Sequence, residues 1–570
     1  MMKVELVFPP QWVPANPYLS VPSLTGFLKE SGYNVIQKDV NIESYDALLS
    51  KSMLRGCYDK ISEKIRQYED KETLNKEQKH YFSKLRFYAN LADVVLDNIE
   101  NAKKKIRSEF FEGYQNLIYL RMALEMISCV YYPTVLGFST YTMRYSYFSA
   151  DDIFNGIWDN RENPFLGIFK DEIIPDLLRC DPKLLGISII GMSQVIPGLT
   201  IAGLIKKEAP NIHINLGGNI FSRFAQEPWR YKDLFRIVDS ITVFEGECAL
   251  LELAEEIERG DDLRRVHNLV YQDENDEIRV NETTFIEDLN ALPPPSFDDL
   301  NLDLYLSPAR ILPLLSSRGC YWGKCTFCTI PYGYGAPYRA RNISLVVEDL
   351  KLLSERYKTK YFEFVDECVH PRRMEELSKK IIQEQLEIRW MAEAKLEKQF
   401  TKELCQKMHE AGCRILYFGL ESANPRVLNL MCKGITIDDM RQTLRNSSEA
   451  GIWNHVFLFF GFPTETEEEA NETIEFVLKN KDKIKSVAHS TFNLKKNSKV
   501  FVNKEKYSIQ RIKVREQDFD LDFDYDVSTG INQKEAARIA EEFRRIVNEN
   551  FVALSADNRW FAPFAAGYLD

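Results

Sequence analysis

The stretch SSRGCYWGKCTFCTI (316–330) decides how this chain is read. Three cysteines, Cys320, Cys325 and Cys328, fall within nine residues, directly after the apolar strand candidate Ile311–Leu315. Thiolates are the natural ligands of iron–sulfur clusters. Three sulfurs on one loop can hold three irons of a 4Fe–4S cluster and leave the fourth to a small molecule. Cys-x2-Cys also suits tetrahedral zinc, but a closed zinc site needs a fourth ligand. None is near in sequence, and Cys368 or His370 would have to supply it in space. Iron–sulfur is the stronger of the two readings once the strands that follow are included.

Strand and helix patterns alternate after the cysteines. Strand candidates are Ile311–Leu315, Tyr361–Val365, Ile388–Ala392, Ile415–Gly419, His455–Phe460 and Val487–Asn493. Helical patterns separate them at about 344–357, 372–385, 401–411, 436–450 and 467–481. Such β/α units predict a partial (β/α)6 parallel barrel over 309–494, with its chemistry at the C-terminal ends of the strands.

The chain before the cysteines alternates as well. Lys3–Phe8, a helix over 23–30 and Asn34–Val40 read as β–α–β, with Gly32 as a helix C-cap. After a helical, lysine-rich insertion of about 44–180, LLGISII (184–190) is a strand of parallel-sheet type. Helices at 196–207 and 248–259, strands at 212–216 and 240–244, and a hairpin around 272–280 complete the pattern. This predicts an α/β, doubly wound, Rossmann-like domain over 1–290. The proline run in LPPPSFDD (292–299) can continue neither helix nor central strand, so 291–308 reads as a linker. Residues 495–570 read as a mixed C-terminal region that caps the barrel or meets substrate. They hold an amphipathic helix near 533–552 and an aromatic tail, WFAPFAAGY.

Composition narrows the function. With Lys plus Arg at 73 and Asp plus Glu at 85, the 570 residues carry a net charge of -12. That balance argues against nucleic acid as a broad partner, because phosphate backbones attract clustered positive charge. The apolar run in MMKVELVFPP is too short for a signal peptide. No run of about eighteen apolar residues marks a membrane helix, so a cytosolic setting without membrane contact is expected. Eleven cysteines in such a setting are thiols and metal ligands rather than disulfides. Cys57, Cys129, Cys180, Cys248, Cys405, Cys413 and Cys432 are expected to be buried apolar thiols.

The cysteine segment resembles the cluster loop of the radical S-adenosylmethionine (SAM) superfamily. That family's usual spacing is Cys-x3-Cys-x2-Cys, whereas this chain has Cys-x4-Cys-x2-Cys. The resemblance implies a 4Fe–4S cluster on Cys320, Cys325 and Cys328, with Phe327 near the adenine of SAM. FVDE (364–367) matches the motif that holds the methionine amino group, which points to Asp366 and Glu367. Lys395, in WMAEAKLE (390–397), stands where a base would pair with the methionine carboxylate. Glu421, in FGLES (418–422), matches a ribose- or methionine-contacting acid. Gly461, in GFPTETEEE (461–469), would shape the backbone beside the cofactor. Each acid also has a plainer reading as a helix-start or solvated loop residue.

The N-terminal domain is similar to the cobalamin-binding domain of one radical SAM subgroup. VFPPQWVPANPYLSVPSLTGFLKESGY (7–33), KDVN (38–41), NLGGN (215–219), VFEGE (243–247) and PPPSFDDL (293–300) carry that resemblance. Asn41, Ser193, Gly217, Gly218 and Glu245 are the candidate cobalamin contacts. Asp-x-His-x-x-Gly is absent, so no histidine ligand to cobalt is expected from the protein.

The resemblance implies reductive cleavage of SAM to a 5′-deoxyadenosyl radical, with electrons from a flavodoxin- or ferredoxin-type donor. Cobalamin-dependent methyl transfer to an unactivated carbon of a small molecule or peptide is the leading function. Alternatives are radical rearrangement or cyclisation without methylation, a methylthiotransferase, and a non-catalytic iron–sulfur sensor. Intact SAM-pocket motifs argue against the sensor. No residue is singled out as catalytic toward the substrate. Lys495, Lys496 and Lys499 form a basic cluster that either greets an acidic substrate or is a solvated rim.

Overall fold

The computed structural model describes residues 2–260, 262–514 and 518–551. The aromatic tail WFAPFAAGY lies outside them. Seven strands form the first sheet: β1 (Lys3–Phe8), β2 (Asn34–Asp39), β3 (Leu184–Ser188), β4 (His213–Gly217), β5 (Ser240–Thr242), β6 (Leu269–Gln272) and β7 (Ile278–Val280). Their order is β2-β1-β3-β4-β5-β6-β7, parallel through β5 and antiparallel over the last two. Chain direction along the sheet reverses between β1 and β3. In doubly wound sheets that is the switch point, beyond whose strand ends ligands sit.

The insertion fills the crossover from β2 to β3. Its long helices are Lys51–Glu69, Lys76–Ser108 and Leu117–Val130. Asn75 and Gln78 start the second of these with a capping box. Leu85, Val95, Ile99 and Leu120 share one apolar core with Val7, Ile187 and Ile214 of the sheet. The insertion is therefore packed onto the sheet, and its apolar stripes are satisfied there.

A second sheet holds β8 (Ile311–Leu314), β9 (Tyr361–Phe364), β10 (Arg389–Lys395), β11 (Cys413–Glu421), β12 (Trp453–Phe460) and β13 (Ser486–Thr491). It is all-parallel and in sequential order. Among the described residues it is open between β8 and β13. Amphipathic helices at Ile343–Tyr357, Pro371–Gln383, Lys402–Glu410, Ile437–Glu449 and Glu467–Lys479 cover it, within two residues of the sequence expectation.

Both proline-run neighbours are tied down. Ser296 N donates to Pro22 O at 3.0 Å, and Phe297 N donates to Tyr357 Oη at 2.8 Å. The segment thus touches both halves. A small antiparallel sheet follows β13, made of β14 (Leu494–Lys495), β15 (Ile509–Lys513) and β16 (Asp522–Val527), with β16 central. The helix Gln533–Asn550 then packs back through Ile539 and Phe543.

Not every cysteine is buried. Cys57, Cys129, Cys405 and Cys413 are, but Cys180 and Cys248 are half-buried and Cys432 is exposed. Cys432 takes a positive φ of 52° after the helix Pro425–Leu430, and that turn carries its thiol outward.

One buried group stands apart. Glu5, in the middle of β1, is 1% exposed, and neither carboxylate oxygen has a hydrogen-bond partner. Burial pushes its carboxyl up to about 8, against the pull of Lys38. Unfolded, the group titrates at its ordinary 4.5, so between pH 4.5 and about 8 only the folded state keeps the proton. Stability is therefore expected to fall as pH rises through that window, by at most about 1.4 kcal/mol per pH unit. Glu5→Gln should flatten the slope in denaturant titrations across that range; an unchanged slope would locate its source elsewhere.

Candidate active site

The cluster loop leaves β8 and is closed at its base. Ser317–Arg318 pairs antiparallel with Arg339–Ala340, so residues 319–338 form one excursion. Gly319 and Gly323 turn within it at φ values of 78° and 57°. Neighbouring elements hold its shape. Trp322 Nε1 donates to Cys432 O at 2.9 Å, Thr326 N to Met431 O at 3.0 Å and Thr326 Oγ1 to Leu430 O at 3.0 Å. Tyr321 Oη donates to Glu397.

Cys320, Cys325 and Cys328 are all half-buried. As free thiols they differ. A hydrogen bond with Cys368, aided by the Trp322 and Gly323 amides, holds Cys320 down to about 6 against burial. Burial pushes Cys328 up to about 11 and raises Cys325. Cys368, the alternative zinc ligand, therefore does reach Cys320. Yet among the described residues no three His, Cys, Asp or Glu groups converge on a single ion. Zinc draws its sulfurs to about 2.3 Å from one centre. Ligands spread along a loop suit a cluster, which takes each thiolate on a separate iron.

Two buried ion pairs stand beside the loop. Lys395 Nζ lies 2.9 Å from Glu397 and 3.4 Å from the Trp322 ring centroid. Lys433 Nζ lies 2.7 Å from Glu421 Oε1. Burial pulls the Lys433 ammonium down, but the charges of Glu421 and Cys325 outweigh it and the ammonium titrates above its usual range. The backbone makes room for both pairs. Glu421 ends β11 at a φ of 60°, past a register shift. A Cβ on Gly419 would meet Glu421 Oε1 at 2.5 Å and Lys433 Nζ at 2.6 Å. A Cβ on Gly434 would meet the Trp322 ring at 2.2 Å. Sequence reading missed Lys433, Glu397 and Trp322. Their signal was present, since a Lys-Gly pair follows the helix after FGLES and an acid follows Lys395 by two.

The other motif residues divide. Phe327 meets Phe459 edge-on at 5.1 Å. Asp366 is fully buried and already accepts from Ser316 N at 2.9 Å, Ser316 Oγ at 2.8 Å and Ser317 Oγ. It clamps the loop base to the end of β9 and also lines the main cavity. Glu367, beside it, lines the cavity too. Gly461 follows Phe459 by two residues, at a φ of 85°. Its N–H donates to Glu465 Oε2 at 2.6 Å, and a Cβ there would meet Ala536 of the C-terminal helix at 2.5 Å.

The main cavity, of about 350 Å³, opens where the strand ends of the two sheets face each other. Ser188, Gly217, Gly218, Glu245 and Glu247 line it from one half; Arg318, Glu363, Glu367, Glu393 and Tyr417 line it from the other. A Cβ on Gly217 would meet only open space. Gly218 sits at a φ of 116°, and a Cβ there would strike Ile189 O at 1.9 Å. Asn41 and Ser193, the other candidate cobalamin contacts, are not among the residues that line it. Asn41 Oδ1 accepts from Trp12 N at 2.9 Å, and Ser193 Oγ donates to Ser139 O at 3.3 Å. Both serve the fold behind the cavity.

A four-charge knot joins the halves at the cavity wall. Arg318 pairs with Glu245 at 3.0 Å and with Glu247, while Arg339 pairs with Glu245 at 2.7 Å. Burial would raise the Glu245 carboxyl, but hydrogen bonds and charge from Arg339 and Arg318 hold it below its usual range.

Three thiols on a loop above a parallel β/α sheet, with that loop's flanks and a doubly wound domain lining one cavity, define an iron–sulfur enzyme of two α/β halves. The chain belongs to the radical SAM superfamily, whose family model matches residues 314–477. It is 30% identical over 324 residues to an uncharacterized methyltransferase of Pyrococcus horikoshii, covering 55% of this chain and 68% of that relative. It is 28% identical over 202 residues to bacteriochlorophyllide d C-12(1)-methyltransferase of Chlorobaculum tepidum, covering 34% of this chain and 44% of that one. Among solved structures it resembles the radical SAM methyltransferase TsrM of Kitasatospora setae, with cobalamin and a 4Fe–4S cluster bound. The TM-score is 0.54 at 16% identity, over 96% of this chain and 85% of that one. At that identity the likeness is one of fold, and it extends through both α/β halves. Among the described residues no helix is long and apolar enough to cross a membrane.

Replacing Arg318 by Met strands Glu247 in the wall without its cation. Breaking a buried pair from one side costs about 3–5 kcal/mol. Guanidinium unfolding should register a loss near the lower bound, because Glu245 keeps Arg339. A loss below about 1 kcal/mol would mean that the knot is solvated.

Proposed function

We propose that this protein is a cobalamin-dependent radical SAM methyltransferase acting on a small molecule or peptide. The observation that carries the reading is the shared cavity, with Gly217 and Gly218 of one sheet opposite Glu367 and Tyr417 of the other. Its volume falls within the range of small-molecule sites, about 300–1,000 Å³. Gly217 leaves a cradle that any side chain would narrow, as close approach of a broad, flat cofactor requires. The donor chemistry of Cys320, Cys325 and Cys328 fits a 4Fe–4S cluster. When bound, the cluster supplies the electron that cleaves SAM, and cobalamin supplies the transferable methyl group.

The chain's own residues prepare that chemistry. Lys433 and Lys395 put positive charge beside the loop, where the methionine carboxylate of SAM would dock. Glu421 and Glu397 hold those two ammoniums at fixed places. Asp366 and Glu367, both on the cavity wall, are the candidates to accept from the methionine ammonium. Phe327 and Phe459 offer ring faces and edges to an adenine. The Arg318 knot keeps the cobalamin-type domain seated on the loop, which fixes the distance between the two cofactor sites. The methyltransferase names of the relatives above support methyl transfer as the outcome.

Anaerobic reconstitution with iron, sulfide and hydroxocobalamin, followed by SAM and dithionite, tests the reading. Release of 5′-deoxyadenosine with S-adenosylhomocysteine is expected; 5′-deoxyadenosine alone would favour rearrangement or cyclisation. Replacing Cys320, Cys325 and Cys328 by Ala should abolish bound iron, and unchanged iron would sink the cluster assignment. Gly217→Trp should block cobalamin retention on gel filtration while leaving the iron content as it was. Equal retention would place the corrin elsewhere.

A further inference from the structure

The tract KKNSKVFVNKEKYSIQRIK (495–513) reverses the charge of the chain. It holds six lysines and one arginine against a single glutamate, in a protein of net charge -12. It lies directly against the cluster loop. Val500 N donates to Thr326 O at 3.0 Å, and Lys499 Nζ donates to Lys324 O at 3.2 Å. Beneath, Phe327 packs on an apolar cluster that includes Val500 and Tyr507.

Part of this charge is spent internally. Lys495 pairs with Asp522, Lys496 with Glu227 and Lys513 with Asp526. What is left faces outward beside the cysteines. Lys324, Lys499 and Lys506 are exposed and Lys504 is half-buried. None of these four forms an ion pair among the described residues. Val502 stands among them at 67% exposure, and the exposed Cys432 gives its carbonyl to Trp322 of the loop. A basic rim thus surrounds a small apolar point and is bonded to the loop that carries three half-buried thiols.

We propose that an acidic one-electron carrier, a flavodoxin- or ferredoxin-type protein, docks on this rim and reduces the cluster through the loop 321–326. The proposal rests on the reading of Cys320, Cys325 and Cys328 as cluster ligands. The cavity is lined instead by Thr329, Ile330 and Gly333, further along the same excursion, and is committed to substrate and cofactors, so the rim is the approach that leaves the site closed. The step moves one electron: the reduced carrier loses it, the oxidised cluster gains it, and no bond forms or breaks. Complementary charge speeds such an encounter and sets its orientation. Transient redox complexes need only small interfaces, below about 1,200 Å². The rim's exposed cations, screened by salt, suit a partner that must leave after each electron.

Charge reversal separates this from other uses of the patch. The full-length protein carrying Lys499→Glu, Lys504→Glu and Lys506→Glu is compared with the native chain. A second variant, Lys504→Glu with Lys506→Glu, leaves the Lys499 bond to the loop in place. Binding of an oxidised bacterial flavodoxin, followed by flavin fluorescence at low and high salt, should weaken at least tenfold in both variants and lose its salt dependence. Iron content and dithionite-driven 5′-deoxyadenosine formation should match the native protein, while cleavage driven by flavodoxin, its reductase and NADPH should fall at least tenfold. Equal flavodoxin binding and equal flavodoxin-driven cleavage would overturn the proposal. So would normal reduction with impaired product formation under dithionite, which would assign the rim to an acidic or phosphorylated substrate. A native protein that cleaves no SAM even with dithionite would overturn the cluster reading itself.

Discussion

Arg318 is the residue on which the two halves of this protein depend. It stands two positions before Cys320 and is clasped by Glu245 and Glu247 of the other α/β half. A guanidinium presents its donors in a rigid fork, so it fixes direction as well as distance. Its neighbour Ser317 holds Asp366, and its strand partner is Arg339, which also reaches Glu245. The start of the cluster loop is therefore anchored on both sides of the cavity at once. Buried ion pairs contribute little net stability, because desolvation offsets their attraction. Their value here is positional, since a loop that carries metal ligands must not drift relative to the cofactor domain it faces.

The same economy of charge recurs at the strand ends. Lys395 with Glu397, and Lys433 with Glu421, bury four charges within reach of the loop. Both members of each pair stand close to the loop: Tyr321 bonds Glu397, and the charges of Lys433 and Glu421 both act on the Cys325 thiol. Room for them comes from the backbone: a positive φ at Glu421 and missing side chains at Gly419 and Gly434. Strain and buried charge are both costly, and they gather at sites where position matters more than stability.

Much of this was legible in the sequence because it follows from periodicity. Apolar runs such as LLGISII sit in parallel strands covered on both faces, and the amphipathic stretches became helices with nearly the expected bounds. The cysteine loop stood out by its three close thiols, and the strands after it turned the reading from zinc toward a cluster. What escaped was relational. Asp366 looked free in FVDE, but two serines fifty residues earlier already occupy its oxygens. Asn41 and Ser193 lay in motifs of the right kind, yet their side chains turn toward Trp12 and Ser139. Gly461 serves the C-terminal helix, which no local pattern ties to it. Lys433 left only the faint signal of a Lys-Gly pair, because a lysine in a turn is usually solvated, and the fold is what pairs it with Glu421 near Cys325.

The cavity itself follows from topology. Parallel strands all end on one edge, so each sheet has a single face that can hold ligands. Strand order β2-β1-β3 opens a crevice at that edge of the first sheet, and the loop after β8 overhangs the same edge of the second. A proline-rich segment bonded to both Pro22 and Tyr357 keeps the edges opposed. Two ligand-bearing edges joined in this way make one chamber rather than two sites. That arrangement suits a reaction in which a group made reactive at one cofactor must meet a group carried by another before water can intervene.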